Sequence, residues 1–437
     1  MNDDALDSVP VATADSTAVL VNKLGSTVMD SDEFEFDVSP ADSTEGPAKP
    51  LRVMFMLTSM PFGGAETLLV NLVQRMNEAK FRPEICCLKE LGPLGEQVAQ
   101  TFPASSNLIR HKFDVSVLGR LAKLMEGRVD ALVTVGAGDK MFWGRLAARW
   151  VKTPVVISAL HSTGWPDGLG RLNRMLTPWT DGFVAVASAH AQYLIEQERL
   201  PKAKVHVIPN GVDTQRFAFR AQDPYDVRRE FGIPAAAPIC GIVAALRPEK
   251  NHRMFVDMAE LVSQHVDAAH FMIVGDGPDR PAIERRVAEL GLQDRVHFTG
   301  TRSDIPRLLA AFNVFCLTSD NEANPVSILE ALSTQVPVVA TDVGSVAASV
   351  RPNETGFLVP PGKPAPFAEA VIEILQHPQL AQEFGDNGRH YVVQQASLEK
   401  MVRGYEQLIW DLYRRRQGPG ELTERLGENV DFCGATT

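Results

Sequence analysis

Residues 313–330 read NVFCLTSDNEANPVSILE, a short apolar run followed by a polar loop and a second apolar segment. The run at 314–317 is typical of a buried parallel strand. Asn324 is suited to the N-cap of a following helix, and Pro325 to its first position, where a missing N–H costs nothing. The segment therefore predicts a strand, a loop and a helix, which is the repeating unit of a parallel α/β sheet.

The start of this predicted helix is suited to binding an anion. The amides of Val326, Ser327 and Ile328 have no intrahelical acceptor and point outward at the positive end of the helix dipole. Glu322 lies in the loop beside them, and Glu330 lies roughly a turn and a half into the helix. Carboxylates accept hydrogen bonds from sugar hydroxyls, so an anion site between two of them is what a sugar nucleotide requires. A capped helix with one solvated and one satisfied acid explains the spacing equally well.

Strand and helix signals alternate along most of the chain. This alternation predicts parallel sheets covered by helices on both faces, and its economical interpretation is two doubly wound domains in tandem. The predicted strands are LRVMFML (51–57), IRHKF near 110, ALVTV (131–135), PVVISAL (154–160), GFVAVA (182–187), VHVIP (205–209), ICGIVAAL (239–246), HFMIVG (270–275), RVHFTG (295–300), NVFCLTS (313–319) and PVVAT (337–341).

The ends of the chain differ from this pattern. The first residues are rich in Asp, Ser, Thr and Ala with little periodicity, as in a disordered acidic segment. The last strong helical pattern has i, i+3, i+4, i+7 apolar spacing, ends before Gly418-Pro419-Gly420, and is expected to pack back on the N-terminal domain. The predicted limits are a disordered tail at 1–50, Rossmann-like domains at 51–217 and 218–395, a C-terminal helix at 396–416 and a flexible tail at 417–437.

Charge is unevenly distributed along the 437 residues, whose formal net charge is −11. Residues 1–49 carry 11 acids and two bases, whereas residues 51–217 carry 20 bases and 14 acids. The basic N-terminal domain suggests peripheral contact with anionic lipid headgroups, although a solvated surface explains it as well. No dense run of Lys and Arg with interleaved aromatics appears, so nucleic acid is not an expected partner.

The cysteines indicate a reducing compartment. Five are present, an odd number without C-x-x-C pairing, and most lie in apolar runs as buried thiols do. No apolar segment is long enough to span a bilayer, and the acidic N-terminus lacks signal-peptide character. We therefore expect a cytoplasmic protein, with any membrane contact at the inner face. The cysteines are Cys86, Cys87, Cys240, Cys316 and Cys433.

Three more segments follow predicted strands at the carboxyl edge, where open α/β sheets bind substrates. Gly63 and Gly64 would let backbone approach a ligand closely, or form a plain strand-to-helix turn. Arg247 and Lys250 could neutralise a departing diphosphate, or lie in a solvated loop. His161 closes the strand PVVISAL, where a histidine facing a cleft is a candidate ligand and otherwise structural.

The turn Gly275-Asp276-Gly277-Pro278 resembles a phosphate loop only in part. The third glycine of a dinucleotide fingerprint would fall at Arg280, so we expect a tight turn that lines a nucleotide from the side. This failure disfavours a dinucleotide-dependent dehydrogenase. No Asp-x-Asp pair stands beside the proposed site, so no metal is expected.

Taken in order, these segments resemble the family 4 retaining glycosyltransferases. The resemblance covers about Leu51 to Arg416. It implies the GT-B fold, in which an N-terminal Rossmann-like acceptor domain and a C-terminal Rossmann-like nucleotide-sugar donor domain face a central cleft. The segments that carry it are GGAETLLVNL (63–72), IPNGVD (208–213), LRPEKNH (246–252), IVGDGP (273–278), HFTG (297–300) and NEANPVSILEALSTQVPVVATDVG (321–344).

The resemblance also implies residue roles. Glu330 would hold the ribose hydroxyls and Glu322 the hydroxyls of the transferred sugar. Lys250 would bind phosphate, and His161 would lie against the donor sugar. Main chain at Asn324, Pro325, Val326 and Ser327 would bind the diphosphate and sugar, and Gly63, Gly64, Gly277 and Phe298 complete the expected donor-binding set.

Two positions depart from the family pattern. The partner arginine of the family lies five residues before the lysine, where this chain has Ala245. Arg247 is expected to replace it from a nearby position. Ala323 also stands where a glycine is commoner, which narrows the freedom of the loop.

The expected activity is retaining transfer of a sugar from a nucleoside diphosphate sugar, a UDP- or GDP-sugar first, to an acceptor hydroxyl. The acceptor would be a glycan, a lipid-linked sugar or a small molecule, in polysaccharide or glycolipid biosynthesis, with neither metal nor another cofactor. A nucleotide-sugar epimerase of the same fold and a non-catalytic nucleotide-sugar-binding module are the alternatives. The sequence does not indicate the oligomeric state.

Overall fold

The computed structural model describes residues 47, 49–111, 114–161, 170–218 and 224–426. Most of the predicted acidic tail and residues 427–437, with Cys433, lie outside this part of the chain. Within it, the chain forms two parallel sheets of seven and six strands with helices on both faces. The predicted α/β fold of two Rossmann-like domains is confirmed.

The first sheet has the strand order β3-β2-β1-β4-β5-β6-β7. The order reverses at β1, so the loops after β1 and β4 diverge and leave a crevice at the carboxyl edge. Its strands are β1 (Leu51–Leu57), β2 (Phe81–Cys87), β3 (Ala104–Ser105), β4 (Ala131–Val135), β5 (Val155–Ala159), β6 (Gly182–Ala185) and β7 (Val205–Val207). Its helices are α1 (Gly64–Arg75), α2 (Gly92–Val98), α3 (Val117–Met125), α4 (Asp139–Val151), α5 (Gly170–Met175) and α6 (Ser188–Glu196), with 3₁₀ turns at Thr177–Trp179 and Lys202–Lys204.

The second sheet has the order β10-β9-β8-β11-β12-β13, which reverses at β8. The loops after β8 and β11 are therefore neighbours, and the amide of Asp320 donates to the carbonyl of Glu249 at 2.9 Å between them. The strands are β8 (Ile239–Val243), β9 (His270–Val274), β10 (Val296–Gly300), β11 (Val314–Leu317), β12 (Val338–Thr341) and β13 (Gly356–Val359). The helices are α7 (Pro224–Glu230), α8 (His252–Ser263), α9 (Arg280–Glu289), α10 (Ile305–Leu309), α11 (Val326–Ser333), α12 (Pro364–Gln376), α13 (Pro378–Gln395) and α14 (Leu398–Leu426), with 3₁₀ turns at Pro248–Lys250 and Val346–Ala348.

Both sheets are buried on both faces, as their continuous apolar runs predict. One face of the first sheet packs against α1 and the start of α14, and the other against α3 and α4. The chain crosses to the second domain near Val212 and returns at Leu398. The Val212 amide donates to the Ala396 carbonyl, and the Leu398 amide to the Val212 carbonyl, each at 3.0 Å. The two crossings therefore lie side by side.

The strand predicted near residue 110 is wrong. The edge strand is instead β3, because the amides of Leu108 and Ile109 both donate to the carbonyl of Leu88 and do not continue a ladder. Strands β2, β3 and β13 were not predicted. In β2, Pro83 argues against a strand interior, although it pairs in register with Val53.

The last helix runs ten residues beyond its predicted end at 416 and finishes at Leu426. The predicted end rested on Gly418-Pro419-Gly420, because a proline removes a backbone donor and crowds the preceding turn. The segment ELTERL (421–426) that follows consists mostly of good helix formers, and the helix continues through it. Among the helices in the described ranges, none combines the length and the apolar composition that crossing a bilayer requires. The four cysteines in these ranges are free and buried.

Candidate active site

The start of α11 lies where the two domains meet. The helix begins one residue later than predicted, with Pro325 at the N-cap and Val326 as the first helical residue. Asn324 does not cap it, because its side-chain amide donates to the carbonyl of Val186 in the first domain at 3.1 Å. The side chain of Asn210 in turn donates to the carbonyl of Asn324 at 2.9 Å. The amide of Ile328 was expected to have no acceptor, but it donates to the carbonyl of the N-cap Pro325 at 3.2 Å. The amides of Val326 and Ser327, which have no intrahelical acceptor, are thus the ones held at the interface between the domains.

Glu322 and Lys250 form one unit. The Glu322 carboxylate is almost buried and accepts from the Lys250 ammonium at 2.5 Å and from the Ser319 hydroxyl at 2.7 Å. Gly344 holds the loop in place, because its φ is +56° and a β-carbon there would be 1.7 Å from the carbonyl oxygen of Glu322. The sequence predicted Lys250 and Glu322 as separate ligands, and the structure joins them in an ion pair.

Glu330 lies on the second turn of α11 and is half-buried. Burial raises its pKa to about 7, and the positive charge of Arg216 opposes this rise. Arg216 comes from the connection between the domains and donates to the carbonyl of Ser303, after β10, at 3.2 Å. A ligand that donates hydrogen bonds to Glu330 would favour its charged form.

The loop after β8 carries the predicted cations. Lys250 ends a short 3₁₀ turn, and the exposed Arg247 precedes that turn. Burial raises the pKa of Glu66 on α1, in the other domain, and the positive charge of Arg247 opposes this rise. Arg247 is therefore close to the crevice between the domains. Its replacement of an arginine at Ala245 stays a prediction.

His161 lies directly after β5 and is half-buried. Burial lowers its pKa to about 4, and the charges of His190 and Lys140 act in the same direction. The ring is therefore neutral at pH 7. Its Nδ1 is buried and has no hydrogen-bond partner in the described part of the chain.

The paired glycines occupy the first-domain side of the crevice. A β-carbon at Gly63 would be 2.3 Å from Oε2 of Glu66, and one at Gly64 would be 3.9 Å from Cγ2 of Val326. The loop after β1 therefore contacts the start of α11. Burial raises the pKa of Glu66, and the nearby charge of Lys140 opposes the rise.

Gly277 and Phe298 lie at the carboxyl edge of the second sheet. A β-carbon at Gly277 would be 2.3 Å from the carbonyl oxygen of Leu246, so close backbone packing explains this glycine. The guanidinium of Arg280 lies 5.5 Å from the centroid of the Phe298 ring and pairs with Asp276 at 3.0 Å. The segment is a packed turn, in keeping with its failed glycine fingerprint.

Four polar residues near the crevice were missed by sequence reasoning: Glu66, Lys140, His190 and Asn210. Glu66 and Asn210 lie inside segments 63–72 and 208–213, which carried the resemblance and could have drawn attention to them. Lys140 and His190 follow β4 and β6 without a recognisable motif. Among the described residues, no group of three His, Cys, Asp or Glu side chains is arranged to hold a metal ion.

Two family models match the chain, one for each sheet. Residues 62–216 match Glycosyltransferase Family 4, and residues 226–391 match Glycosyl transferases group 1. The boundary between the matches falls in the connection between the domains.

Characterised proteins of similar sequence include two with lipid-linked acceptors in their names. The GDP-mannose-dependent alpha-(1-6)-phosphatidylinositol monomannoside mannosyltransferase of Mycobacterium tuberculosis is 30% identical over 327 residues, covering 69% of this chain and 84% of that protein. The UDP-Gal:alpha-D-GlcNAc-diphosphoundecaprenol alpha-1,3-galactosyltransferase of Escherichia coli is 25% identical over 369 residues, covering 80% and 94%.

Solved structures with the same fold include Anabaena HepE in complex with UDP, with a TM-score of 0.73 and 20% identity. That alignment covers 82% of this chain and 99% of HepE. WaaG, a glycosyltransferase involved in lipopolysaccharide biosynthesis, has a TM-score of 0.65 at 16% identity. These likenesses support the GT-B fold.

Proposed function

This chain belongs to glycosyltransferase family 4, and we propose that it transfers a sugar from a UDP- or GDP-sugar to an acceptor hydroxyl with retention of anomeric configuration. The proposal rests on one observation, which is that several charged and hydrogen-bonding groups lie near the start of α11. The start of α11 is held at the contact between the domains through Asn324, the Lys250–Glu322 pair comes from the loop before it, and the half-buried Glu330 follows on the second turn of the helix. These groups would provide a phosphate site next to hydroxyl acceptors.

The leaving diphosphate would be stabilised by fixed positive charge. Lys250 is oriented by Glu322 at 2.5 Å and therefore needs little reorganisation when negative charge develops on the departing phosphate. The first amides of α11 and the exposed Arg247 add to this field. Because these groups supply the charge, we propose that transfer needs no metal and continues in EDTA.

Hydrogen bonds would hold the donor on both sides of its diphosphate, at the ribose and at the transferred sugar. Glu330 would accept hydrogen bonds from the ribose hydroxyls, and Glu322 from the transferred sugar while it still holds Lys250. The buried Nδ1 of the neutral His161 would hydrogen-bond the same sugar. These roles fit the position of each group at the crevice.

Retention would follow from attack on the face that the phosphate leaves. The bond from the anomeric carbon to the phosphate oxygen breaks, and a bond to the acceptor oxygen forms on the same side. The acceptor proton moves to the departing phosphate. Glu322 is a poor candidate nucleophile, because its carboxylate is already engaged by Lys250 and Ser319.

We propose a lipid-linked or glycan acceptor, in glycolipid or polysaccharide biosynthesis. The names of the Mycobacterium and Escherichia relatives specify a phosphatidylinositol and a diphosphoundecaprenol acceptor. The net positive first domain suits an acceptor that bears phosphate.

The test begins with a thermal-shift screen against UDP-, GDP-, ADP- and dTDP-sugars. A donor at 100 times its Kd stabilises the protein by about 2.7 kcal/mol. The stabilising donor is then incubated with and without glycan and lipid-linked acceptors, in buffer and in EDTA, and the anomeric configuration of the product is read by NMR. Lys250→Met should lower the rate of transfer about 10²–10³-fold, with the exposed Lys363→Met as a matched control.

Each alternative has its own outcome. A donor that is epimerised without acceptor indicates the epimerase, and a donor that binds without any turnover indicates a binding module. No stabilisation by any nucleotide sugar would overturn the proposal. An inverted product would refute retention alone, and loss of activity in EDTA would refute metal independence alone.

A further inference from the structure

Four large apolar side chains are exposed together on the first domain. Leu172 and Met175 on α5 are 43% and 70% exposed, Trp179 in the following turn is 44% exposed, and Trp150 at the end of α4 is 61% exposed. Scattered exposed apolar residues are ordinary, but a group that includes two tryptophans and a methionine is not. We call this group the aromatic strip.

The segments that carry the strip are neighbours, as their positions in the chain and one cation–π contact show. Leu172 and Met175 are three residues apart and lie on one side of α5, and Trp179 ends the 3₁₀ turn that follows this helix closely in the chain. The guanidinium of Arg149, the neighbour of Trp150, lies 5.4 Å from the centroid of the Trp179 ring. The end of α4 and the turn that carries Trp179 are therefore adjacent.

Cations border the strip on the sides of α4 and β7. Arg149 and Lys152 are exposed at the end of α4. The ammonium of Lys204 lies under the turn of Trp179, where it donates to the carbonyls of Pro178 and Thr180 at 3.2 and 2.7 Å. Arg149 and Lys204 thus place two positive charges beside the turn that carries Trp179, and Lys152 adds a third two residues after Trp150.

The last helix adds further cations. Arg416 pairs with Asp181, two residues after Trp179, at 2.6 Å, and Arg414 and Arg415 next to it are exposed. Three nearby acids each pair with one arginine: Asp181 with Arg416, Asp411 with Arg414 at 3.2 Å, and Glu198 with Arg174 at 3.1 Å. These acids are fewer than the cations that border the strip. The border of the strip is therefore net positive.

We propose that the aromatic strip docks on a bilayer surface that contains anionic phospholipids. Tryptophan is suited to the interface between headgroups and acyl chains, and surrounding Lys and Arg are attracted to an anionic leaflet. A second copy of the chain is a poorer occupant, because two faces bordered by like charges repel each other. The inference deepens the proposed function, since docking would bring the enzyme to lipid-linked acceptors, but docking itself requires no donor.

The test is vesicle flotation of the full chain with phosphatidylcholine alone or mixed with phosphatidylglycerol, at low and high salt. We expect binding to the mixed vesicles that weakens in high salt. Trp150→Ser with Trp179→Ser should lower the partition coefficient about tenfold or more, because two indole rings no longer enter the interface. Lys152→Gln should lower it about fivefold, since one interfacial charge is lost. Tyr225→Ser, 53% exposed on the second domain, is the matched control.

Several results would overturn the proposal. These are no binding of the wild type to mixed vesicles, equal binding by the tryptophan variant, or an equal loss in the Tyr225 control. If light scattering without vesicles shows a dimer that the tryptophan variant abolishes, the strip is instead a contact between copies. The thermal shift with the stabilising nucleotide sugar, measured on the same variants, should be unchanged, so failure of docking and failure of donor binding are read separately.

Discussion

We expect the raised pKa of Glu330 to make donor binding depend on pH. At a pKa of about 7 the carboxyl group is about one-tenth ionised at pH 6 and about nine-tenths ionised at pH 8. If the carboxylate is the form that accepts the ribose hydroxyls, affinity for the nucleotide sugar rises about tenfold between these pH values. Above pH 8 little further change is expected.

The raised pKa of Glu330 has the opposite effect on folding stability, which falls as pH rises. The folded pKa, about 7, lies above the ordinary value of 4.5, so the folded state binds more protons between these values. Stability therefore falls as pH rises from about 4.5 to 7 and levels off above that. The full effect is at most about 3 kcal/mol, and the remaining contact of Glu330 with water reduces it.

The substitution Glu330→Gln separates the two effects. At pH 8 the variant should bind the donor more weakly by about 1.5–3 kcal/mol, the value of a hydrogen bond to a charged group. Its affinity should not change between pH 6 and 8. It should also unfold at a higher temperature than the wild type at pH 8, because no buried charge remains.

Calorimetric titration with the nucleotide sugar measures the affinity, and thermal unfolding measures the stability. Free UDP is a poor probe here, because a terminal phosphate titrates near pH 6. Glu369→Gln, at an exposed position on α12, is the control and should leave both quantities unchanged. A wild-type affinity that is flat from pH 6 to 8, or a Gln variant with the same slope as the wild type, would refute the reasoning.

Three further predictions concern single side chains. Lys250→Met should lower kcat about 10²–10³-fold with a much smaller change in KM, as measured by nucleotide release, and a pure KM effect would contradict its role at the leaving group. Gly344→Ala should destabilise the fold by about 1–3 kcal/mol from backbone strain alone, with reduced turnover through the displaced Glu322 loop, and unchanged melting and turnover would count against it. Arg145 is buried against the neutral Thr180 and Asn173, and burial lowers its pKa to about 9. Arg145→Met should therefore leave denaturant stability unchanged or raise it by up to about 4 kcal/mol, and a clear loss would be incompatible with this argument.

The architecture was largely predictable because the strands are buried on both faces. Such strands are continuous apolar runs, and β8, β9 and β11 were found within a few residues of their ends. β2 was missed because Pro83 argues against a strand, and β3 because two residues leave almost no pattern. The local pattern also set the end of α14 too early, since it stopped at Pro419 while the chain continued as helix.

The candidate site was only partly predictable, because its contacts join residues that are far apart in the sequence. The residues after β8 and β11 were identified one by one, but the Lys250–Glu322 pair joins positions 72 residues apart and depends on the strand order. Asn324 was expected to cap α11, because its position in sequence is that of a cap. Its side chain instead bonds to Val186, 138 residues away, and this choice is set by the approach of the two domains.

The paired crossings at Val212 and Leu398 have a consequence for motion. Both segments that join the lobes pass through one place, where they are hydrogen-bonded to each other. This geometry suits a hinge: rotation of the two domains about the paired segments would keep both bonds, whereas sliding one domain past the other would break them. Substrate would therefore enter and leave by a hinge rotation that opens the cleft most on the side away from the paired segments.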